Sequence, residues 1–271
     1  MRVVIVRHHE EDSAGFIGAA FEARGARFTM HLLPQDGPLP ALDGIDHIVV
    51  LGATFSVYGN GNSYGNGDGN SDGNSDGYRS SDCDRSSDGL GSSDGLGRAW
   101  IADELAWLRR ADEADVPVLG ICFGAQALSA AFGGRVEAAP RQEIGWTVID
   151  SLNPGLIPAG PWLEFHGDRC VPPERARLLA RNDVGVQAFS LGRHLAVQFH
   201  PEVDGAQLRL WLDAGGREEA ERAGQDPDLF LAETIAEEPA ARDRADALVA
   251  SALRIAQNAP HRPERVIRAN Q

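Results

Sequence analysis

A chain of 271 residues can bury one sizeable α/β core, or at most two small ones. Its formal net charge is −15 and it contains no lysine, which argues against nucleic-acid binding by simple electrostatics. No apolar run is long enough to span a membrane, so neither nucleic acid nor membrane is expected as a partner.

Residues 1–6, Met-Arg-Val-Val-Ile-Val, read as a first buried strand; the apolar run is too short for a signal peptide. His8-His9-Glu10-Glu11-Asp12 has the composition of a metal site, but consecutive side chains rarely converge on one ion, and the stretch reads as a polar loop. No metal or cofactor is expected. Residues 16–23 form an amphipathic helix ending at Gly25, residues 28–33 a second strand, and residues 47–51 a third. Residues 58–98 are built almost entirely from Gly, Asn, Ser and Asp in short tandem units such as Ser86-Ser87-Asp88-Gly89-Leu90-Gly91. That composition cannot bury enough apolar surface to offset ordering, so the segment reads as a disordered insertion. Its Asp spacing meets neither the nonapeptide nor the helix-loop-helix calcium pattern.

After it, Ile101, Leu105 and Leu108 mark one face of a helix over 101–111, and residues 116–121 a strand. Residues 125–132 are helix-like; 135–136, 146–149, 177–180 and 185–189 are strands; 195–197 is a last apolar run. Residues 217–222 and 240–255 look like helices, the second with a stripe of Ala245, Leu248, Val249 and Leu253, and residues 260–271 like a frayed tail. Strands alternating with helices predict an α/β fold, a largely parallel sheet covered on both faces. Sites in such sheets gather beyond the carboxyl ends of the strands, where Gly52, Cys122 and His200 all fall.

Two stretches carry the chemistry: Gly120-Ile121-Cys122-Phe123-Gly124-Ala125-Gln126, and Gln198-Phe199-His200-Pro201-Glu202. The first is a strand, a tight glycine-flanked turn and a helix, with a thiol at the apex. A helix N-terminus favours the thiolate, His200 can serve as base and then acid, and Glu202 can hold the imidazole in one tautomer. The backbone N–H of Phe123 points where a tetrahedral oxyanion forms. Acyl transfer from an amide is the reaction these groups suit. The three cysteines, Cys83, Cys122 and Cys170, are an odd number without framework spacing, so a reducing compartment is expected, with the protein in the cytoplasm.

With these motifs the chain resembles the class I (triad) glutamine amidotransferases, in particular the glutaminase domains of GMP synthases and their free-standing relatives. The likeness covers 1–57 and 99–215, with 216–271 expected as C-terminal helices and tail on the same domain. It implies a flavodoxin-like open sheet. It further implies that Cys122 is the nucleophile, His200 the general base and acid, and Glu202 the orienting carboxylate. Val49-Val50-Leu51-Gly52 resembles the strand and loop that give the second oxyanion N–H, through Gly52 and Ala53. The family's Gly-Gly-Pro reads Gly52-Ala53-Thr54 here, and Ala53 suits the position only if its φ is ordinary. Phe165-His166-Gly167-Asp168 resembles a Ser-His-Gly-Asp segment whose backbone grips the substrate's amino-acid end; Gln126, one helical turn past the thiol, is implied as a substrate contact. Gln187-Ala188-Phe189 also matches such relatives.

The resemblance implies a γ-glutamyl thioester, ammonia release and hydrolysis to glutamate. Neither a P-loop nor a Ser-Gly-Gly-Val-Asp-Ser motif is present, so ammonia is expected to pass to a separate synthetase subunit. A free-standing γ-glutamyl hydrolase acting on some γ-glutamyl amide uses the same thioester. A regulatory protein that has lost its oxyanion hole at Ala53-Thr54 is the non-enzymatic alternative.

Overall fold

The computed structural model describes residues 1–57 and 99–259. The repeat-rich segment 58–98 with Cys83, and the tail 260–271, lie outside the described residues. Among the described residues, ten strands and six α-helices follow one another: β1 (Arg2–Arg7), α1 (Gly15–Glu22), β2 (Arg27–Leu32), β3 (His47–Val50), α2 (Ala99–Glu113), β4 (Val118–Ile121), α3 (Phe123–Ala131), β5 (Arg135–Thr147), β6 (Asp150–Ser151), β7 (Trp162–Val171), β8 (Arg177–Arg181), β9 (Val186–Leu191), β10 (His194–Val197), α4 (Gly205–Trp211), α5 (Arg217–Arg222) and α6 (Pro227–Asn258). A kinked π-turn, Leu212–Gly216, joins α4 to α5.

Eight strands make one sheet in the order β2-β1-β3-β4-β10-β9-β8-β6. The first five are mutually parallel, and β9, β8 and β6 continue it antiparallel. The sheet is therefore mixed, and the parallel half carries the chemistry-bearing loops.

The apolar runs are continuous because these strands are buried on both faces. Alternate residues point opposite ways. Val3, Ile5, Val49, Leu51, Leu119 and Val197 pack with Phe16, Ile17 and Phe21 of α1 and with Ala245, Leu248 and Val249 of α6. Val4, Val6, Ile48, Val50, Val118 and Ala196 pack with Trp107 and Leu108 of α2 and Phe123 and Leu128 of α3. A third cluster joins Ile144, Leu163 and Phe165 to Leu208, Leu212 and Phe230 of the C-terminal helices.

Three features differ from the sequence expectation. The predicted strand 135–136 and the first half of the one predicted over 146–149 are parts of one long strand, β5, that ends at Thr147 and pairs antiparallel with β7 as a separate ribbon. Pro140 and its polar neighbours look like a break, yet they fall at a register shift between Ala138 and Glu143, where a proline costs no ladder bond. The Phe165–Asp168 stretch, with its turn-like glycine, lies inside β7. The helix expected over 240–255 begins at Pro227, capped by Asp226, whose side chain accepts from the N–H groups of Asp228 and Leu229. Pro239 reads as a breaker but sits inside it.

The turn from β4 to α3 is closely packed against main chain. A Cβ at Gly120 would lie 2.5 Å from the carbonyl oxygen of Gly124, and one at Gly124 would strike the backbone of Val50. Both obstacles are main chain and cannot swing aside. Gly124→Ala is expected to destabilise the fold by about 1–3 kcal/mol, read as a lowered urea midpoint; an unchanged midpoint would show that this turn can relax.

Candidate active site

Cys122 caps the N-terminus of α3 at φ 50°, ψ −104°, one of two described non-glycine residues at positive φ. Its N–H donates to the Val197 carbonyl at 2.8 Å, fixing the turn to the neighbouring strand β10. The thiol thus stands at the first turn of a helix, whose unsatisfied N–H groups and dipole favour negative charge.

His200 follows β10 by three residues, and its N–H donates to Leu163 of β7 at 2.8 Å. Its Nδ1–H donates to Glu202 Oε1 at 2.8 Å, leaving Nε2 for the thiol. Burial works against the imidazolium, but the Glu202 carboxylate and the Cys122 sulfur outweigh it, and the His200 pKa lies well above 6.5. The ring edge meets the face of Trp211, centroids 4.9 Å apart. The Glu202 carbonyl accepts from Phe16 N–H at 3.0 Å. Gly15 makes room for that contact, since a Cβ there would overlap the Glu202 carbonyl.

Gly52 lies against both groups: a Cβ on it would come 2.8 Å from His200 Cε1 and 3.7 Å from Cys122 Cβ. Ala53 is not among the residues at positive φ, so an L-residue is unstrained there. Gly52, Ala53 and Thr54 line a cavity of about 320 Å³ whose floor is Cys122 and His200. Its walls are Phe165 of β7, Leu210 and Trp211 of α4, and Ala214, Gly215 and Gly216 from the turn after it; its remaining lining is His9 and three carboxylates, Glu11, Asp12 and Glu219. Asp12 Oδ1 accepts from Trp211 Nε1–H at 3.2 Å, while Oδ2 is buried without a partner among the described residues. Burial raises the Asp12 pKa against the pull of His9, and burial pushes Glu219 up to about 7.

Of the residues expected at the substrate, Phe165 lines this cavity whereas Gln126 and His166 do not. Both turn to one acceptor, the Asp168 carbonyl, at 3.5 Å from Gln126 Nε2 and 2.9 Å from His166 Nδ1. His166 Nε2 lies 3.1 Å from Glu164 and 3.3 Å from Glu143. Burial opposes its charge, but hydrogen bonds to the two carboxylates prevail and lift its pKa to about 10. Burial in turn raises Glu164. These three could hold a cation by spacing. However, both Glu143 oxygens already accept amide hydrogens, from Asn182 at 2.7 Å and Gln187 at 2.9 Å, so the cluster is built as a buried ion pair network.

Sequence reasoning missed four contributors. Gln198, inside the histidine motif, donates to Cys122 Sγ at 3.7 Å and accepts from Cys170 Sγ at 3.4 Å. Glu164 was detectable as a carboxylate among apolar residues two positions before His166, hence on the same strand face. Trp211 and Glu219 carry no local signal. The His8–Asp12 stretch does not converge: His8 points to Gly52 and Glu104, and His9 to Thr54.

A thiol at a strand–helix turn, a histidine–carboxylate pair and a flanking loop of backbone N–H groups form the arrangement of an α/β domain suited to acyl transfer. Residues 80–209 match the sequence model of the family described as glutamine amidotransferase class-I. GMP synthase [glutamine-hydrolyzing] of Aeropyrum pernix is 36% identical over 138 residues, 44% of this chain and 27% of that protein. The Nitrobacter hamburgensis protein of the same name is 37% identical over 112 residues, 35% of this chain and 21% of its own. The matches thus span only about a quarter of these relatives' length. In fold, the chain is similar to a glutamine amidotransferase from Thermotoga maritima, with TM-score 0.73, 21% identity, and coverage of 95% of this chain and 99% of that one. One from Methylobacillus flagellatus gives TM-score 0.72 at 20% identity, covering 97% and 98%. Over residues 80–209 the chain therefore matches the class I glutamine amidotransferases in sequence, and its fold is that of the solved ones.

The His166 cluster makes a stability prediction. Its pKa is raised from 6.5 to about 10, so the stabilisation is complete below the unfolded value and is lost as pH rises towards the folded one. His166→Gln is expected to flatten the fall in unfolding free energy between about pH 7 and 9.5 by about one proton. An unaltered slope in urea titrations across that range would refute the charge assigned to His166.

Proposed function

We propose that the chain hydrolyses the side-chain amide of glutamine through a γ-glutamyl thioester on Cys122, releasing ammonia to a synthetase on a separate polypeptide. The observation that carries this is Cys122, held at φ 50° on the N-terminus of α3, in one cavity with the hydrogen-bonded His200–Glu202 pair.

His200 takes the thiol proton and the sulfur attacks the amide carbon. The carbonyl oxygen becomes an oxyanion between the N–H groups of Phe123 and Ala53. Collapse expels the nitrogen, which His200 protonates, giving ammonia and the thioester. A water then gives its proton to His200 and attacks the thioester carbon; the second collapse returns the proton to sulfur and frees glutamate. Glu202 stabilises the imidazolium in both halves. The ordinary φ at Ala53 speaks for a working oxyanion hole over a regulatory, non-catalytic role. The synthetase partner is suggested by relatives named GMP synthase [glutamine-hydrolyzing]. A cytoplasmic setting suits the two unpaired described thiols, Cys122 and Cys170.

A second reading, a γ-glutamyl amide hydrolase that needs no partner, is favoured by one observation. The carboxylates Glu11, Asp12 and Glu219 face the cavity, with no arginine among its described lining residues. Such a wall suits a leaving amine that carries positive charge.

Ammonia release from glutamine by the purified full chain tests the first reading, with Cys122→Ala expected to lose more than about 10³-fold in kcat. Turnover surviving in Cys122→Ala would overturn the nucleophile. Hydrolysis confined to γ-glutamyl amides of cationic amines would select the second reading. A glutamine-like diazo-ketone is expected to label Cys122 and spare Cys170, whose thiol is buried and raised in pKa by that burial; labelling of Cys170 instead would reverse that ranking.

A further inference from the structure

His8 follows the end of β1, directly behind the loop that carries Gly52 and Ala53. Its ring is buried, in a T-shaped contact with Phe123 at 4.8 Å and tilted against Trp100 at 5.3 Å. Both ring nitrogens are engaged. Nδ1 lies 3.1 Å from the Gly52 carbonyl oxygen, and Nε2 lies 3.2 Å from Glu104 Oε2 of α2. A carbonyl and a carboxylate are both acceptors, and a ring that donates from both nitrogens satisfies both. Burial opposes that charge, but Glu104 and then the Gly52 carbonyl offset it, and the His8 pKa is raised.

The peptide between Gly52 and Ala53 is trans, since the cis bonds among described residues are at Pro34 and Pro161. In a trans peptide the C=O and the following N–H point in opposite directions. His8 does not line the cavity, whereas Gly52 and Ala53 do. With the Gly52 oxygen turned back onto His8, the Ala53 N–H is turned forward, to the side on which Gly52 meets Cys122 and His200. Among the described residues no backbone carbonyl takes that N–H.

We propose that His8, charged and held by Glu104, is a positioning residue that locks the Gly52–Ala53 peptide so that the Ala53 N–H faces the developing oxyanion. The proposal rests on reading the cavity as a thioester-forming site. It also accounts for alanine at a position where the related family has glycine: the peptide is oriented by a clamp on its oxygen, and no positive φ is required.

The test removes the clamp without stranding a buried charge. His8→Phe keeps a ring against Phe123 and Trp100 but leaves Glu104 unpaired, so the double variant His8→Phe/Glu104→Leu, which replaces the ion pair by apolar groups, is compared beside it. In both, kcat on the amide that the wild type hydrolyses is expected to fall about 10- to 100-fold, somewhat less than loss of a whole oxyanion donor. KM, and the rate at which iodoacetamide alkylates Cys122, should hold within about threefold, because alkylation forms no oxyanion. A crystal structure of the double variant should show the Gly52 carbonyl released from its wild-type direction. An unchanged kcat, a parallel loss of alkylation, or a Gly52 carbonyl that stays in place each overturns the proposal. A wild type inactive on every γ-glutamyl amide defeats the functional reading instead, and the orientation of that carbonyl in the double variant still decides the role of His8.

Discussion

The cavity takes its geometry from the turn between β4 and α3, where Cys122 stands at positive φ. A non-glycine residue there costs of order 1–3 kcal/mol and persists only where its surroundings over-determine it. Here they do. Gly120 and Gly124 close on each other, Gly124 closes on Val50, and the Cys122 N–H is taken by Val197. The same parallel strands carry His8, Gly52 and His200 out at one end of the sheet, so register among β1, β3, β4 and β10 sets the distances among those groups.

Around this turn lie three buried histidine–carboxylate arrangements: His200 with Glu202, His8 with Glu104, and His166 with Glu143 and Glu164. Buried ion pairs are weak sources of net stability, because desolvation offsets their attraction. Their value lies in direction. Each fixes a ring nitrogen that a solvated side chain would leave free to rotate: one toward the thiol, one toward a loop peptide, one toward the Asp168 carbonyl that Gln126 also meets. The cavity side of the protein is preorganised by charge, while the sheet and helices behind it are held by apolar packing.

What the sequence discloses follows from which interactions are local. β1, β3, β4 and β10 are plain apolar runs because both their faces are buried, and the thiol and histidine follow directly from the turns that end them. The ribbon β5–β7 was obscured by Pro140 in one strand and by Gly167 in the other, both turn formers overridden by tertiary pairing. The start of α6 was hidden by Pro239 for the same reason. Trp211 and Glu219 reach the cavity only because α4 and α5 fold back over it, and no local pattern says which face they present. The pairing of His8 with Glu104 spans most of the first hundred residues and the whole repeat-rich segment, so neither residue signals the other.

That last pairing bears on how the chain can change over generations. The described flanks of the segment 58–98 are each anchored: Phe55 packs edge-on against Trp100 with centroids 5.5 Å apart, Ser56 Oγ donates to Asp168 at 2.8 Å, and Glu104 holds His8. Residues from both flanks thus meet in space, and the hold on the Gly52 carbonyl depends on one partner from each side. A gain or loss of Ser-Ser-Asp-Gly-Leu-Gly copies that keeps these flanking contacts also keeps Glu104 within reach of His8.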